Sequence, residues 1–254
     1  MPATLTLDEY GAAIGEASTV LRANAGAVSL DTPVPTCPDW SVRDLVVHQG
    51  MVHRSAAATL RGEQGWHAAD FEADGQASPD VLDWFDDGAA QLLQAVVDAP
   101  DDMPGHFFLR DAGPLRDAWA RRQAHETVIH AVDAMAARLG GPPTAAQTWF
   151  SPEFAGDGAD ELMLGFLPRR RSPLRSQTPL TLTVAIQDTG HAWQAEISEE
   201  PPVVRAGRAT NPDVVLSGNA REVYLALWNR GTDIRVDGDD DAYGLWQRLM
   251  RVIY

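Results

Sequence analysis

The stretch "PLRDAWARRQAHETVIHAVDAMAARLGG", Pro114 to Gly141, decides how the first half of this chain is read. Proline suits the first turn of a helix, and glycine suits its end, so Pro114 and Gly140 bracket one long helix. Inside it, His125-Glu126 nearly opens the metalloprotease pattern H-E-x-x-H, which sets two histidines one turn apart. Ile129 stands where the second histidine would be, and the histidine arrives at 130. At 3.6 residues per turn, Glu126 and His130 project about 40° apart, whereas His125 and His130 project about 140° apart. The spacing discards the metalloprotease reading and keeps a Glu-x-x-x-His pair. By itself such a pair is equally an ordinary i,i+4 contact.

Three more helices precede this one. "TLDEYGAAIGEASTVLRANAG" opens with Thr6 and Glu9 at capping-box spacing and ends at Gly26. "SVRDLVVHQGMVHRSAAATLRG" opens with Ser41 and Asp44, stops near Gly62, and repeats Val42, Leu45, Val46 and Val52 at helical spacing. "DVLDWFDDGAAQLLQAVVDA" begins near Asp80. A Pro-rich link, "DTPVPTCPDW", joins the first two. Four long helices predict a bundle.

The second half changes character after "GPPTAAQTWFSPEF" (141–154), which places a boundary between domains at 1–145 and 146–254. A helix "GADELMLGFLPRR" is followed by the strand-like runs "LTLTVAI" and "AWQAEI", then "DVVLSG", the helix "AREVYLALWNR", the strand "IRVDG" and a last helix "AYGLWQRLMRVI". The expectation is a smaller α+β domain with an antiparallel-type sheet, giving an α+β protein overall.

Composition limits the function. With 20 basic and 36 acidic residues the net charge is −16, which repels nucleic acid and anionic lipid. All the basic residues are arginine. Without lysine there is no Schiff-base chemistry and no P-loop lysine. A single cysteine, Cys37, excludes an internal disulfide framework and a cysteine-rich zinc site. The N-terminal stretch has no basic region followed by an apolar one, so no signal peptide is expected, and a cytoplasmic location is the simplest expectation.

A catalytic zinc site commonly takes three protein ligands and leaves one position open. In a bundle the third comes from a facing helix, and the second helix offers His48. His48, Glu126 and His130 would form a two-His, one-carboxylate set with an open face, suited to zinc, iron or another divalent ion. Asp133 could orient the His130 ring or pair with an arginine. His53, His67, His106 and His191 read as loop, surface or buried polar residues.

"PTCPDWSVRDLVVHQGMVHR" together with "RRQAHETVIHAVDA" resembles the mycothiol-dependent maleylpyruvate isomerase family, and "ELMLGFLPRR" and "AREVYLALWNRG" resemble its C-terminal domain. The resemblance implies a DinB-like four-helix N-terminal domain with a divalent metal, typically zinc, on His48, Glu126 and His130. It further implies mycothiol as the thiol cofactor, activated as a metal-bound thiolate. That thiolate either isomerises a small electrophile or stays attached to it by S-transfer. An arginine of the C-terminal domain contributes to the family's active site, and Arg230 is the candidate by motif, although a helix C-terminus also favours a cation. Cys37 and Trp40 read as packing residues, and Arg121 and Arg122 as structural ion pairs or supports of the metal helix. Two other classes stay open: a hydrolase that activates water at the same trio, with His125 or Asp133 as base, and a non-catalytic binding protein.

Overall fold

Thr6 and Ser41 start two helices by the same device. In the computed structural model, which describes residues 5–109 and 112–250, each hydroxyl accepts the backbone N–H three residues on, and Glu9 or Asp44 returns the bond to the cap backbone. The helices are α1 (Leu7–Ala25) and α2 (Val42–Leu60). α4 (Val81–Asp98) begins after Asp80, whose side chain accepts from Asp83 N. α5 (Leu115–Leu139) follows Pro114 and stops at Gly140, which takes the left-handed conformation at φ 77°. These four helices match the sequence expectation.

Two compact units account for the described residues: 5–108 with 112–143, and 144–250 with Leu109. In the first, α1 packs on α5 and α4, and α2 packs on α4 and α5. Two features escape the sequence reading. The Pro-rich link folds into an antiparallel hairpin of β1 (Pro33–Val34) and β2 (Cys37–Ser41), with Val34 opposite Cys37. A fifth helix, α3 (Ala68–Ala77), buries only Gly75, so it shows no apolar periodicity to read.

Gly75 locates α3 by close approach. The Trp84 ring of α4 lies against both Gly75 and Gly50 of α2, and a Cβ at either would overlap it. Trp84 Nε1 donates to Asp74 Oδ2 at 2.8 Å. Arg54 lies over the indole at 3.8 Å and donates to the carbonyls of Gly50 and Trp84. Gly50→Ala is therefore expected to destabilise this unit by about 2 kcal/mol through overpacking, measured by urea unfolding. A loss under about 0.5 kcal/mol would mean that the indole slot yields freely.

A buried polar network joins α2 to α5. His53 Nε2 lies 2.9 Å from Thr127 Oγ1 and 2.8 Å from Gln49 Nε2, and the Thr127 hydroxyl donates to the Gln123 carbonyl at 2.6 Å. Burial, then the neighbouring Arg54 charge, push the His53 imidazole down to about 3. Below its ordinary value of 6.5 the unfolded chain gains this proton and the folded chain does not. The resulting stability is intact above about pH 6.5 and falls by about 1.4 kcal/mol per pH unit between there and about pH 3. His53→Gln is expected to remove that slope. Urea unfolding of wild type and variant at about pH 7.5 and about pH 5.5 measures it; equal pH dependence in the two proteins would contradict the assignment.

In the second unit, α6 (Pro152–Asp160) runs into a π-helical turn (Glu161–Phe166), starting earlier than the sequence suggested because Ser151 caps it. A five-stranded sheet follows in the order β5-β4-β3-β6-β7, comprising β3 (Leu180–Ile186), β4 (Ala192–Ile197), β5 (Val203–Ala206), β6 (Val214–Gly218) and β7 (Arg235–Gly238). Three pairings are antiparallel, but β3 and β6 run parallel, so the sheet is mixed. Central β3 is buried over Leu182–Ile186, as expected of a strand covered on both faces. β5 was missed because it is an edge strand with no buried residue. Trp193 Nε1 donates to Asp160 Oδ1 at 2.9 Å and ties β4 to α6. α7 (Ala220–Leu227) and α8 (Asp240–Leu249) complete the unit; the last expected helical residues, 251–253, lie outside the described residues. Among the described residues no helix is long and apolar enough to cross a membrane.

Candidate metal centre

α5 is a polar helix in a buried place. Arg121, Arg122, Gln123, His125, Thr127, His130 and Asp133 are all buried, so each must meet another polar or aromatic group. One face carries Arg122, Glu126, His130 and Asp133, spaced at one helical turn each.

His48 of α2 completes that face. One donor atom from each of His48, Glu126 and His130 lies within 4.8 Å of the others. His48 Nε2 is 3.6 Å from Glu126 Oε1, and His130 Nε2 is 3.4 Å from the same oxygen. His130 is fully buried, whereas the His48 and Glu126 side chains keep 15% and 16% of their surface, which leaves one side of the trio accessible. Two imidazole nitrogens and a carboxylate oxygen converging this closely form a suitable donor set for a divalent ion with an open position.

Other residues hold the donors. Arg122 donates through Nη2 to Glu126 Oε2 at 2.8 Å, which leaves Oε1 facing the histidines. His130 Nδ1 donates to Asp133 Oδ2 at 3.0 Å, which turns Nε2 toward Glu126. The Trp40 ring lies 4.8 Å from the His48 ring and 5.7 Å from the His130 ring, walling the trio with an apolar surface. The electrostatics follow. Burial pushes Glu126 up, but Arg122 and the two imidazoles outweigh it and hold the carboxyl well below the usual range. Burial pushes His48 down. At His130 burial acts in the same direction, but the bonds to Asp133 and Glu126 prevail and raise it.

The other sequence candidates go elsewhere. His125 meets Tyr10 of α1 edge-on at 6.4 Å, so it does not share the trio, in keeping with its angle around the helix. Arg230 belongs to the second unit. It is 3% exposed and donates through Nη1 to the Trp228 carbonyl at 2.8 Å, just beyond the end of α7. Sequence reasoning missed Thr36, whose hydroxyl donates to Asp133 Oδ1 at 2.5 Å, and the side-chain contact of Cys37, whose Sγ lies 3.4 Å from Asp133 Oδ2. Trp40, read as a packing residue, packs on the trio itself. No local pattern marks these three, because the hairpin brings them to α5 from about a hundred positions away.

Comparison with known proteins agrees with this architecture. The model of the mycothiol maleylpyruvate isomerase N-terminal domain matches residues 12–135, and that of the same family's C-terminal domain matches residues 153–245. A crystal structure of the mycothiol-dependent maleylpyruvate isomerase superposes with a TM-score of 0.61 at 16% identity, covering 92% of this chain and 93% of that one. A histidine-to-alanine mutant of that enzyme superposes with a TM-score of 0.63 at 15% identity over the same shares. No curated protein matches the chain in sequence. With both domain models matched in order along its length, the chain belongs to the mycothiol maleylpyruvate isomerase family.

Proposed function

We propose that this protein is a divalent-metal-dependent thiol enzyme. In this reading it uses mycothiol for cis–trans isomerisation of, or S-transfer to, a small electrophile of the maleylpyruvate type. The observation that carries the reading is the convergence of His48, Glu126 and His130 within 4.8 Å. Its context is the family to which the chain belongs and its likeness to the solved mycothiol-dependent maleylpyruvate isomerase. A divalent ion, zinc for preference, would supply acidity to a coordinating thiol, so that the sulfur is deprotonated and nucleophilic at neutral pH.

The chain's own residues prepare that chemistry. Arg122 keeps Glu126 ionised and its Oε1 forward. Asp133 accepts a hydrogen bond from His130 Nδ1–H, leaving Nε2 as the ligand nitrogen. Trp40 excludes water from one side and strengthens the electrostatics within. Isomerisation and S-transfer share this preparation and differ only in whether the sulfur leaves again. Arg230 is retained as the candidate for holding a substrate carboxylate, and a cytoplasmic location fits the reading. Hydrolysis is less well supported: Asp133 is engaged by His130 and Thr36, and His125 faces Tyr10, so neither named base stands ready.

The test is the loss of maleylpyruvate and the appearance of its trans isomer or thiol adduct, with and without mycothiol, before and after chelation. Turnover that needs both thiol and metal supports the proposal. Turnover that is indifferent to the thiol would favour hydrolysis instead. For Arg230, replacement by Met should raise KM for a dicarboxylate without changing metal content; an unaltered KM assigns the residue to the end of α7 alone.

A further inference from the structure

Asp133 is fully buried, and its two oxygens are bonded from two separate elements. Thr36 Oγ1 donates to Oδ1 at 2.5 Å. His130 Nδ1 donates to Oδ2 at 3.0 Å, and Cys37 Sγ lies 3.4 Å from the same oxygen. Thr36 and Cys37 occupy the turn of the β1–β2 hairpin and the first position of β2.

We propose that the β1–β2 hairpin is a working part of the metal centre: Thr36 and Cys37 hold Asp133, and Asp133 holds His130. The inference rests on the reading of His48, Glu126 and His130 as metal ligands and adds to it the residues that set their geometry.

An imidazole offers either nitrogen, and the partner of one decides the role of the other. A carboxylate facing Nδ1 accepts a hydrogen bond from its N–H, which keeps the proton on that nitrogen and leaves the Nε2 lone pair for the metal. Asp133 sits three residues beyond His130 on the same helix, so a rotamer change would be enough to withdraw it. The hairpin prevents this by bonding both carboxylate oxygens from a segment 97 residues earlier in the chain. These bonds also offset the cost of holding a buried carboxylate. The same hairpin carries Trp40, whose ring lies against both imidazoles, so one short element fixes His130 from behind and walls the trio from the side. Asp133 is thus a positioning residue that acts through His130.

The test uses the full chain loaded with cobalt(II), whose visible absorption reports ligand geometry, with affinity measured by chelator competition. Asp133→Asn is expected to weaken cobalt binding roughly 10- to 100-fold and to change the spectrum. Thr36→Val, which removes the hydroxyl at nearly constant shape, should weaken it several-fold with a smaller spectral change. Thr36→Ser, which keeps the hydroxyl, should restore both. If Asp133→Asn does not fold, the Thr36 pair carries the test alone, with the unfolding midpoint of the metal-free proteins as the control. Wild-type affinity and spectrum in Asp133→Asn and Thr36→Val, while His48→Ala loses cobalt, would overturn the hairpin's role and leave the metal site standing. A wild type that takes up no cobalt would overturn the metal reading itself, and this inference with it.

Discussion

A His48→Ala protein is expected to purify with only a trace of divalent metal, where the wild type carries about one ion per chain. His48 is the only donor of the trio that α2 supplies; Glu126 and His130 both come from α5. Without it, two donors a single turn apart remain. Changes to residues that merely orient a ligand already cost 10- to 100-fold in affinity, so the loss of a ligand should cost at least about 100-fold. Glu126→Gln is expected to do the same while keeping the shape of the side chain, because the charge is lost. Elemental mass spectrometry on both variants and wild type decides the matter, with circular dichroism as the check on folding. Metal that persists in both variants, or a wild type that stays empty when zinc is supplied, would remove the foundation of the proposed function.

The second large effect lies beside the first. Arg122→Met is expected to cost about 3 kcal/mol of stability in the metal-free protein, because it strands a charged carboxylate inside the bundle. Arg122 is 4% exposed, and its Nη2 stands 2.8 Å from Glu126 Oε2. Once the guanidinium is gone, burial still pushes Glu126 up, and the largest of the opposing effects has been lost. Adding Glu126→Gln to Arg122→Met should recover a large part of the loss, since the stranded charge is then absent as well. Urea unfolding of the single and double variants measures the coupling. A loss below about 1 kcal/mol for Arg122→Met would mean that the pair behaves as an exposed one.

The parts of this protein that the sequence showed are those held by bonds between near neighbours. The capping boxes at Thr6 and Ser41, the Asp80 cap and the Gly140 stop each close within four residues, so α1, α2, α4 and α5 could be read directly. The Glu126–His130 pair and its separation from His125 follow from helix periodicity alone. His48 needed one further step, the assumption that a bundle sets α2 beside α5. α3 and β5 escaped because they bury almost nothing and so carry no periodic apolar signal.

The sequence was thus enough for α1, α2, α4 and α5 of the first unit, for the main strands of the second, and for the exclusion of lysine and multi-cysteine chemistry, and it pointed to His48, Glu126 and His130, whose side chains converge. Tertiary structure alone decided that a Pro-rich link is a hairpin, that its Thr36 and Cys37 reach Asp133, that Trp40 walls the trio, and that β3 and β6 lie parallel. The reason is range. A cap or an i,i+4 pair is set by helix geometry wherever the helix forms, whereas the partner of a strand or of a buried carboxylate is chosen by packing between segments far apart in the chain.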